Sequence, residues 1–493
     1  MSFTSLPFFL LLSLVLALYW ILQGRTRWQN LLLLAASYVF YGWWDWRFLG
    51  LILFTTLSSF GCALGMEKLG SLKGLNGLKG SKGLKGSKGL KGLKGLSDLK
   101  GSNGASWLNA INIVINLGIL ALFKYYDFFA SSLNDAFTGL GIEASWPLLH
   151  LVLPVGISFY TFQSLSYTID VRRGSLQATH SLLDYATYIA FFPQLVAGPI
   201  ERATRLLPQF ASQRTFSNKE AAEGCRLMLW GFFKKLVIAD NCAITVEQVF
   251  HNYQHLGTLT LLFGAVLFAF QIYADFSGYS DIAIGTAHLF GIRLSPNFDR
   301  PYLATTIPDF WRRWHISLTS WFRDYVYFPL GGSRVSRLRT FLNTLVVFSL
   351  SGLWHGANWI FVAWGFYHGA LFFPYNMRWL PGRSEADSSR LRAMVWGQRA
   401  IVFLLICLGW VLFRAESISM ALTYLHRLLC TFDFSLPPYS KSILLYALLM
   451  LWFEAKHCPW PHRTWFRWLC YYALIALILW KGTDGGHFIY FQF

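Results

Sequence analysis

The sequence predicts an all-α, polytopic integral membrane protein, and three observations predict it. Hydrophobic residues make up 55% of the 493 positions while charged residues make up only 13%, with a mean hydropathy of +0.41; no soluble chain of this length needs so much apolar side chain. Apolar runs near the roughly 20 residues that cross a bilayer recur from end to end. Aromatic residues reach 18%, as suits rings placed at the headgroup level or along an internal cavity.

The runs are Leu6–Leu22, Leu31–Trp44, Phe48–Leu64, Trp107–Phe123, Leu148–Tyr167, Tyr188–Ala197, Leu227–Ala239, Leu259–Ala274, Phe341–Leu353, Trp359–Phe373, Ala400–Phe413, Ile443–Phe453 and Trp468–Trp480. They predict about eleven to thirteen membrane-embedded helices, some short or re-entrant. Before the first run there is only Met1-Ser2-Phe3-Thr4, without a basic region or a following cleavage site, so it is expected to stay as a span. Pro154-Val155-Gly156, Pro193 and Gly198-Pro199 interrupt their runs. Broken backbone at that depth must be buried in protein or line a cavity, so a polar cavity is expected.

The seven cysteines are scattered and odd in number, which points to neither a disulfide framework nor a zinc site. The net charge is +18, and residues 67–101 carry nine Lys against Glu67 and Asp98. That excess puts the segment in the cytoplasm, and counting back through the spans places the Arg25/Arg27 loop there too. Glycine recurs every third residue from Gly74 to Gly95 without proline, which excludes a collagen helix and is too costly in backbone entropy for an α-helix. Residues 67–104 are therefore expected to be a flexible loop inside one membrane domain spanning 1–493, drawn at most to anionic lipid headgroups or a polyanionic cosubstrate. No nucleic-acid partner is expected.

Residues able to carry chemistry concentrate between Gln271 and Gly369. Asp275, Ser277 and Asp281 follow an apolar span, where ionisable groups are costly and usually functional, although a capped helix end would use the same residues. Thr306-Ile307-Pro308-Asp309 is a capping pattern with proline in the first turn, predicting one helix from there through Asp324. On that helix Trp311, Trp314, His315, Leu318 and Phe322 share a face. A histidine so placed is by itself more often a hydrogen-bonded core residue than a catalyst. Ser351 to Trp359 brings His355 between Gly352 and Gly356, with Asn358 close behind. A neutral imidazole there can take a proton from a hydroxyl as it attacks an acyl carbonyl, worth about 10²–10⁴ in rate; a helix-packing histidine bonded to a carbonyl is the plainer use. His368 reads as structural. No nucleophile elbow, phosphate loop or zinc-ligand spacing is present in the sequence, so no metal and no bound cofactor are expected.

Several long stretches, in order, resemble the membrane-bound O-acyltransferase family, in particular its alginate O-acetyltransferase branch. They include Asn30–Tyr41, Pro154–Tyr160, Phe192–Ile200, Asp275–Asp281, Trp314–Leu318, Pro329–Arg334, Trp354-His355-Gly356, Trp410–Ala415 and the ending Phe488–Phe493. The resemblance implies a ring of helices around a central funnel in a bacterial inner membrane, with His355 as the catalytic histidine and His315 as the second. It implies an acetyl group drawn from a cytoplasmic donor such as acetyl-CoA and handed to a periplasmic or membrane-anchored acetyltransferase partner beside a polysaccharide synthase complex. Arg334, Arg337 and Arg339 would suit the donor's phosphates, and Tyr490 in the tail would suit an acyl relay, although an aromatic anchor at the interface would look the same. A transporter or channel for donor or polymer is the rival reading, and a scaffold without catalysis a third.

Overall fold

The computed structural model describes residues 1–79, 103–143, 145–196, 198–380, 392–435, 439, 442–455, 460, 463–483 and 488. Among them every regular element is helical, as the sequence predicts. The helices are α1 Leu6–Ile21, α2 Thr26–Gly42, α3 Leu49–Lys79, α4 Asn103–Leu120, α5 Tyr126–Gly139, α6 Ile157–Arg173, α7 Leu182–Ala190, α8 Phe192–Leu195 and α9 Ala203–Ala211. They continue with α10 Asn218–Phe232, α11 Asp240–His251, α12 Thr258–Leu289, α13 Ile307–Arg313, α14 Ile316–Phe322, α15 Arg337–His355 and α16 Trp359–Ala370. The last are α17 Phe373–Asn376, α18 Arg392–Arg414, α19 Ile418–Cys430, α20 Ser442–Ala455 and α21 Thr464–Lys481.

Among the described residues four helical stretches are long and apolar enough to cross a membrane: Trp46–Leu69, Gly104–Gly139, Thr258–Leu289 and Met394–Arg414. Leu6–Ile21 and Ile443–Ala455 are shorter apolar helices. The side chains of α1 show what surrounds them. Leu6, Leu10, Leu14 and Leu18 are exposed at helical spacing, while Phe8, Leu12, Val15 and Tyr19 are buried. A helix apolar on its outer face as well as its inner one is solvated by lipid.

The interruptions expected from proline and glycine appear as breaks. The run at residues 148–167 becomes helical only at Ile157, after Pro154-Val155-Gly156. The run at 188–197 is split at Phe191 into α7 and a single turn, α8. The expected Lys/Gly loop differs at its start. Helix α3 continues past Glu67 to Lys79 and α4 begins at Asn103, so the helix carries on into the glycine repeat, and residues 80–102 lie outside the described residues.

The backbone groups into two compact units. One comprises Met1–Val196, Ile200–Ala221 and Leu289–Leu294; the other comprises Ala197–Pro199, Ala222–His288 and Ser295–Phe493. In the first, Arg214 Nη2 donates to Asn30 Oδ1 at 2.6 Å, and Asn30 Nδ2 donates to Asp184 at 2.7 Å, a buried polar chain joining α2, α7 and the segment after α9. The second holds a large aromatic core, with Trp314, Trp364 and Trp410 among its most deeply buried side chains.

Within the second unit, α15 and α16 touch backbone to backbone. A Cβ on Gly352 would stand 2.0 Å from the Phe361 carbonyl oxygen, and one on Gly356 would stand 2.2 Å from the Phe361 ring. Both glycines are required for this approach. It seats His355, the last residue of α15, against the ring of Trp364 on α16, with centroids 5.1 Å apart.

Candidate active site

The predicted helix across residues 306–324 starts as expected and then breaks. Thr306 Oγ1 accepts from the Asp309 amide at 3.2 Å, and Asp309 pairs with Arg313 at 3.0 Å, closing the first turn of α13. At His315 the backbone turns to φ 42, a left-handed conformation that costs a residue with a side chain about 1–3 kcal/mol. The single amphipathic helix is therefore corrected to α13, a kink at Trp314-His315, and α14. The helical periodicity survives the kink: Trp311, Trp314, His315, Leu318 and Phe322 all line one cavity.

The kink is held from 18 residues upstream by Asn297. Its carbonyl accepts from the Ile316 amide at 2.9 Å. Its side-chain Oδ1 accepts from the Ser317 amide at 3.3 Å and the Ser317 hydroxyl at 2.9 Å, and lies 3.0 Å from His315 Nδ1. Asn297 thus supplies the cap that His315, at the N-cap of α14, does not supply with its own side chain. Its Nδ2 donates to Ser280 on α12 at 3.2 Å. Asn297, missing from the sequence reading, is fully buried.

The cavity measures about 280 Å³ and is lined by both His315 and His355, with Arg312, Arg323, Ser351 and Tyr327 among the polar contributors. Trp354 lies against both imidazoles, its ring 6.0 Å from that of His315 and 4.9 Å from that of His355. Trp364 and Phe413 complete an aromatic wall around His355, the Phe413 ring at 5.4 Å. Phe276 edges onto His315 at 4.6 Å. Both histidines are buried. His368, read as structural, packs among Trp311, Trp364 and Trp410 and is not among the lining residues of that cavity.

The other predicted polar residues have different surroundings. Asp275 pairs with Lys235 at 2.7 Å, Lys235 pairs also with Asp240 at 2.8 Å, and Asp281 pairs with Lys234 at 2.6 Å. The two lysines sit in a π-helical stretch, Phe233–Ala239, inside a run that looks merely apolar in sequence. Their signal was visible: two lysines at that depth need acidic partners. Ser277 is buried beside them on α12. Asn358 caps α16, its Oδ1 accepting from the Ile360 amide at 3.1 Å. Arg334, Arg337 and Arg339 are exposed and are not among the cavity's lining residues; Arg312 and Arg323 are. Tyr490 lies outside the described residues. Two positions earlier, Phe488 is buried, its ring tilted against that of Tyr279 at 4.2 Å and edge-on to that of Phe276 at 5.9 Å.

Two histidines and two arginines around a cavity rich in aromatic side chains form a site suited to acid–base chemistry on an uncharged group. Comparison with known proteins agrees. Residues 175–419 match the model of MBOAT, the membrane-bound O-acyltransferase family. The chain is 38% identical over 449 residues to "Probable alginate O-acetylase AlgI" of Azotobacter vinelandii, covering 90% of this chain and 81% of that protein. It is 40% identical over 423 residues to the protein of the same name from Pseudomonas aeruginosa, covering 85% and 73%. A "Peptidoglycan O-acetyltransferase" of Helicobacter pylori is 35% identical over 345 residues, covering 65% and 64%. The chain belongs to the membrane-bound O-acyltransferase family, and it is a membrane-embedded O-acyltransferase whose similarity runs to the alginate O-acetylases.

Proposed function

We propose that the chain takes an acetyl group from a cytoplasmic thioester donor, acetyl-CoA, and passes it across a bacterial inner membrane for O-acetylation of an extracytoplasmic polysaccharide such as alginate or cellulose. The observation that carries this reading is that His315 and His355 line the same cavity. In the reaction a hydroxyl oxygen adds to the acyl carbonyl while His355 takes its proton. The C–S bond then breaks, the departing thiolate recovers a proton, and an ester and a free thiol remain. Trp354 packs against both imidazoles, and Trp364 and Phe413 pack against His355, which holds the catalytic ring in place.

The cavity of about 280 Å³ is where the acyl end of the donor would sit in this reading. Arg312 and Arg323, at that cavity, replace Arg334, Arg337 and Arg339 as the groups that would meet the carrier's anionic part. The acetyl acceptor in this reading is Tyr490, from which a periplasmic or membrane-anchored acetyltransferase, working beside the polysaccharide synthase complex, moves the group to the polymer. Phe488 supports it, since its ring packs on Phe276, whose edge meets His315. The finer architecture, about eleven to thirteen membrane-embedded helices with re-entrant segments around a funnel, belongs to the same reading.

The test is acetyl transfer by the purified chain, followed as thiol release from acetyl-CoA and as acetyl on the polymer in cells. His315→Ala and His355→Ala are expected to lose both while remaining inserted. Turnover at the wild-type rate in either variant contradicts the role given to that histidine.

A further inference from the structure

We infer that Asn297 is a positioning residue for the acyl transfer: it holds the imidazole of His315 in the tautomer with its proton on Nδ1, leaving the lone pair on Nε2. The inference rests on the proposed role of His315, and its geometry is independent of that role.

The identity of one Asn297 side-chain atom decides the tautomer. A backbone amide can only donate, and the Ser317 amide points at the Asn297 side-chain atom 3.3 Å away. That atom is therefore the carbonyl oxygen, and the amide nitrogen is the atom at 3.2 Å from Ser280 Oγ. The Ser317 hydroxyl, 2.9 Å from the same oxygen, donates to it as well. An amide oxygen only accepts, so His315 Nδ1, 3.0 Å from it, must carry the proton. In the neutral ring Nε2 is then the basic atom.

The arrangement is built for position. His315 would not choose a left-handed φ of 42 without compensation, and four bonds at the kink run to one residue: the Ile316 amide to the Asn297 carbonyl, and the Ser317 amide, Ser317 hydroxyl and His315 ring to Oδ1. The same side chain thus sets both the backbone angle from which the ring projects and the ring's proton. Partners of this kind, which fix the orientation and tautomer of a working imidazole, are typically worth about 10–100-fold in activity. The charged and titratable groups that share the cavity are His355 from α15, Arg312 from α13, and Arg323 and Tyr327 from the segment after α14. The group at Nδ1 is the Asn297 side chain, 3.0 Å away.

The tautomer is directly observable. The full chain, purified in detergent with ¹⁵N-labelled histidine, contains 12 His, and subtracting the spectrum of His315→Ala isolates the His315 ring. The wild type is expected to show a protonated Nδ1 and an unprotonated Nε2 at neutral pH. Asn297→Asp, which keeps an acceptor at the same place, is expected to retain that pattern, and Asn297→Ala to show a mixture of tautomers. In thiol release from acetyl-CoA, Asn297→Ala is expected to lose about 10–100-fold in kcat with KM little changed, and Asn297→Asp to recover most of the loss. A wild-type ring protonated on Nε2 overturns the inference whatever the variants do. Turnover lost in His315→Ala but unchanged in Asn297→Ala overturns it alone; turnover retained in His315→Ala overturns the role of His315 beneath it.

Discussion

Two groups of buried polar side chains lie in the second compact unit, and they differ in what completes them. Lys234 and Lys235 each meet opposite charge within 2.8 Å: Asp281 for the first, Asp240 and Asp275 for the second. Around His315 and His355 the neighbours are aromatic rings and an amide, and the two imidazoles face a cavity. The first group is closed by its own partners, so it ties helices together. The second leaves room for another molecule. A polar residue inside a membrane protein marks function only once its partners are known, since a closed ion pair and an open site are equally costly to bury.

The comparison is broken most severely by removing the charge at the centre of the closed group. Lys235→Met strands Asp240 and Asp275 without their cation and is expected to cost about 3–5 kcal/mol, enough to lose folded protein. Size-exclusion profiles and thermal melts in detergent check this; a normally stable Lys235→Met protein would mean that the ion pairs contribute little and that the closed group has another purpose.

Next in size is Tyr490→Phe, which removes one oxygen from the tail and is expected to abolish polymer acetylation while expression and membrane insertion stay normal. Acetyl content of the secreted polymer reads it, and full acetylation would return the tail to an aromatic anchor. The smallest effect is expected from deleting Gly74 to Gly95. That change takes the end of α3 at residues 74–79 together with residues outside the described ones, and activity should stay within about twofold, because glycine-rich connections bury little. Loss of insertion or of acetylation would show a role for the segment.

Much of this was legible in the sequence, and the failures have physical causes. Fold class followed from composition, and the capping of α13 by Thr306 followed from its spacing to Asp309. The five residues assigned to one face do line one cavity. The kink at His315 could not be read there, because the apolar periodicity continues unbroken through it and the group that bends the chain, Asn297, lies 18 residues away. Periodicity reports which side chains are buried together and is silent about a hydrogen bond that caps a helix from a distance. Asp275 and Asp281 stood out in the sequence as costly charges, but their lysine partners did not, being two charges inside an apolar run with Phe233, Leu236, Val237 and Ile238. Arg334, Arg337 and Arg339 stood out as a cluster, yet the arginines at the cavity are Arg312 and Arg323, which fall off the apolar face shared by Trp311, Trp314, His315, Leu318 and Phe322.

The measurement that bears most directly on the open site is made on His355→Ala, with thermal stability and acetyl transfer recorded on the same purified sample. The imidazole sits at the end of α15 against the aromatic rings of Trp354, Trp364 and Phe413. The account predicts a protein that inserts and melts close to the wild type and has lost transfer by about 10²–10⁴-fold. Transfer at the wild-type rate from a stable His355→Ala protein would contradict it.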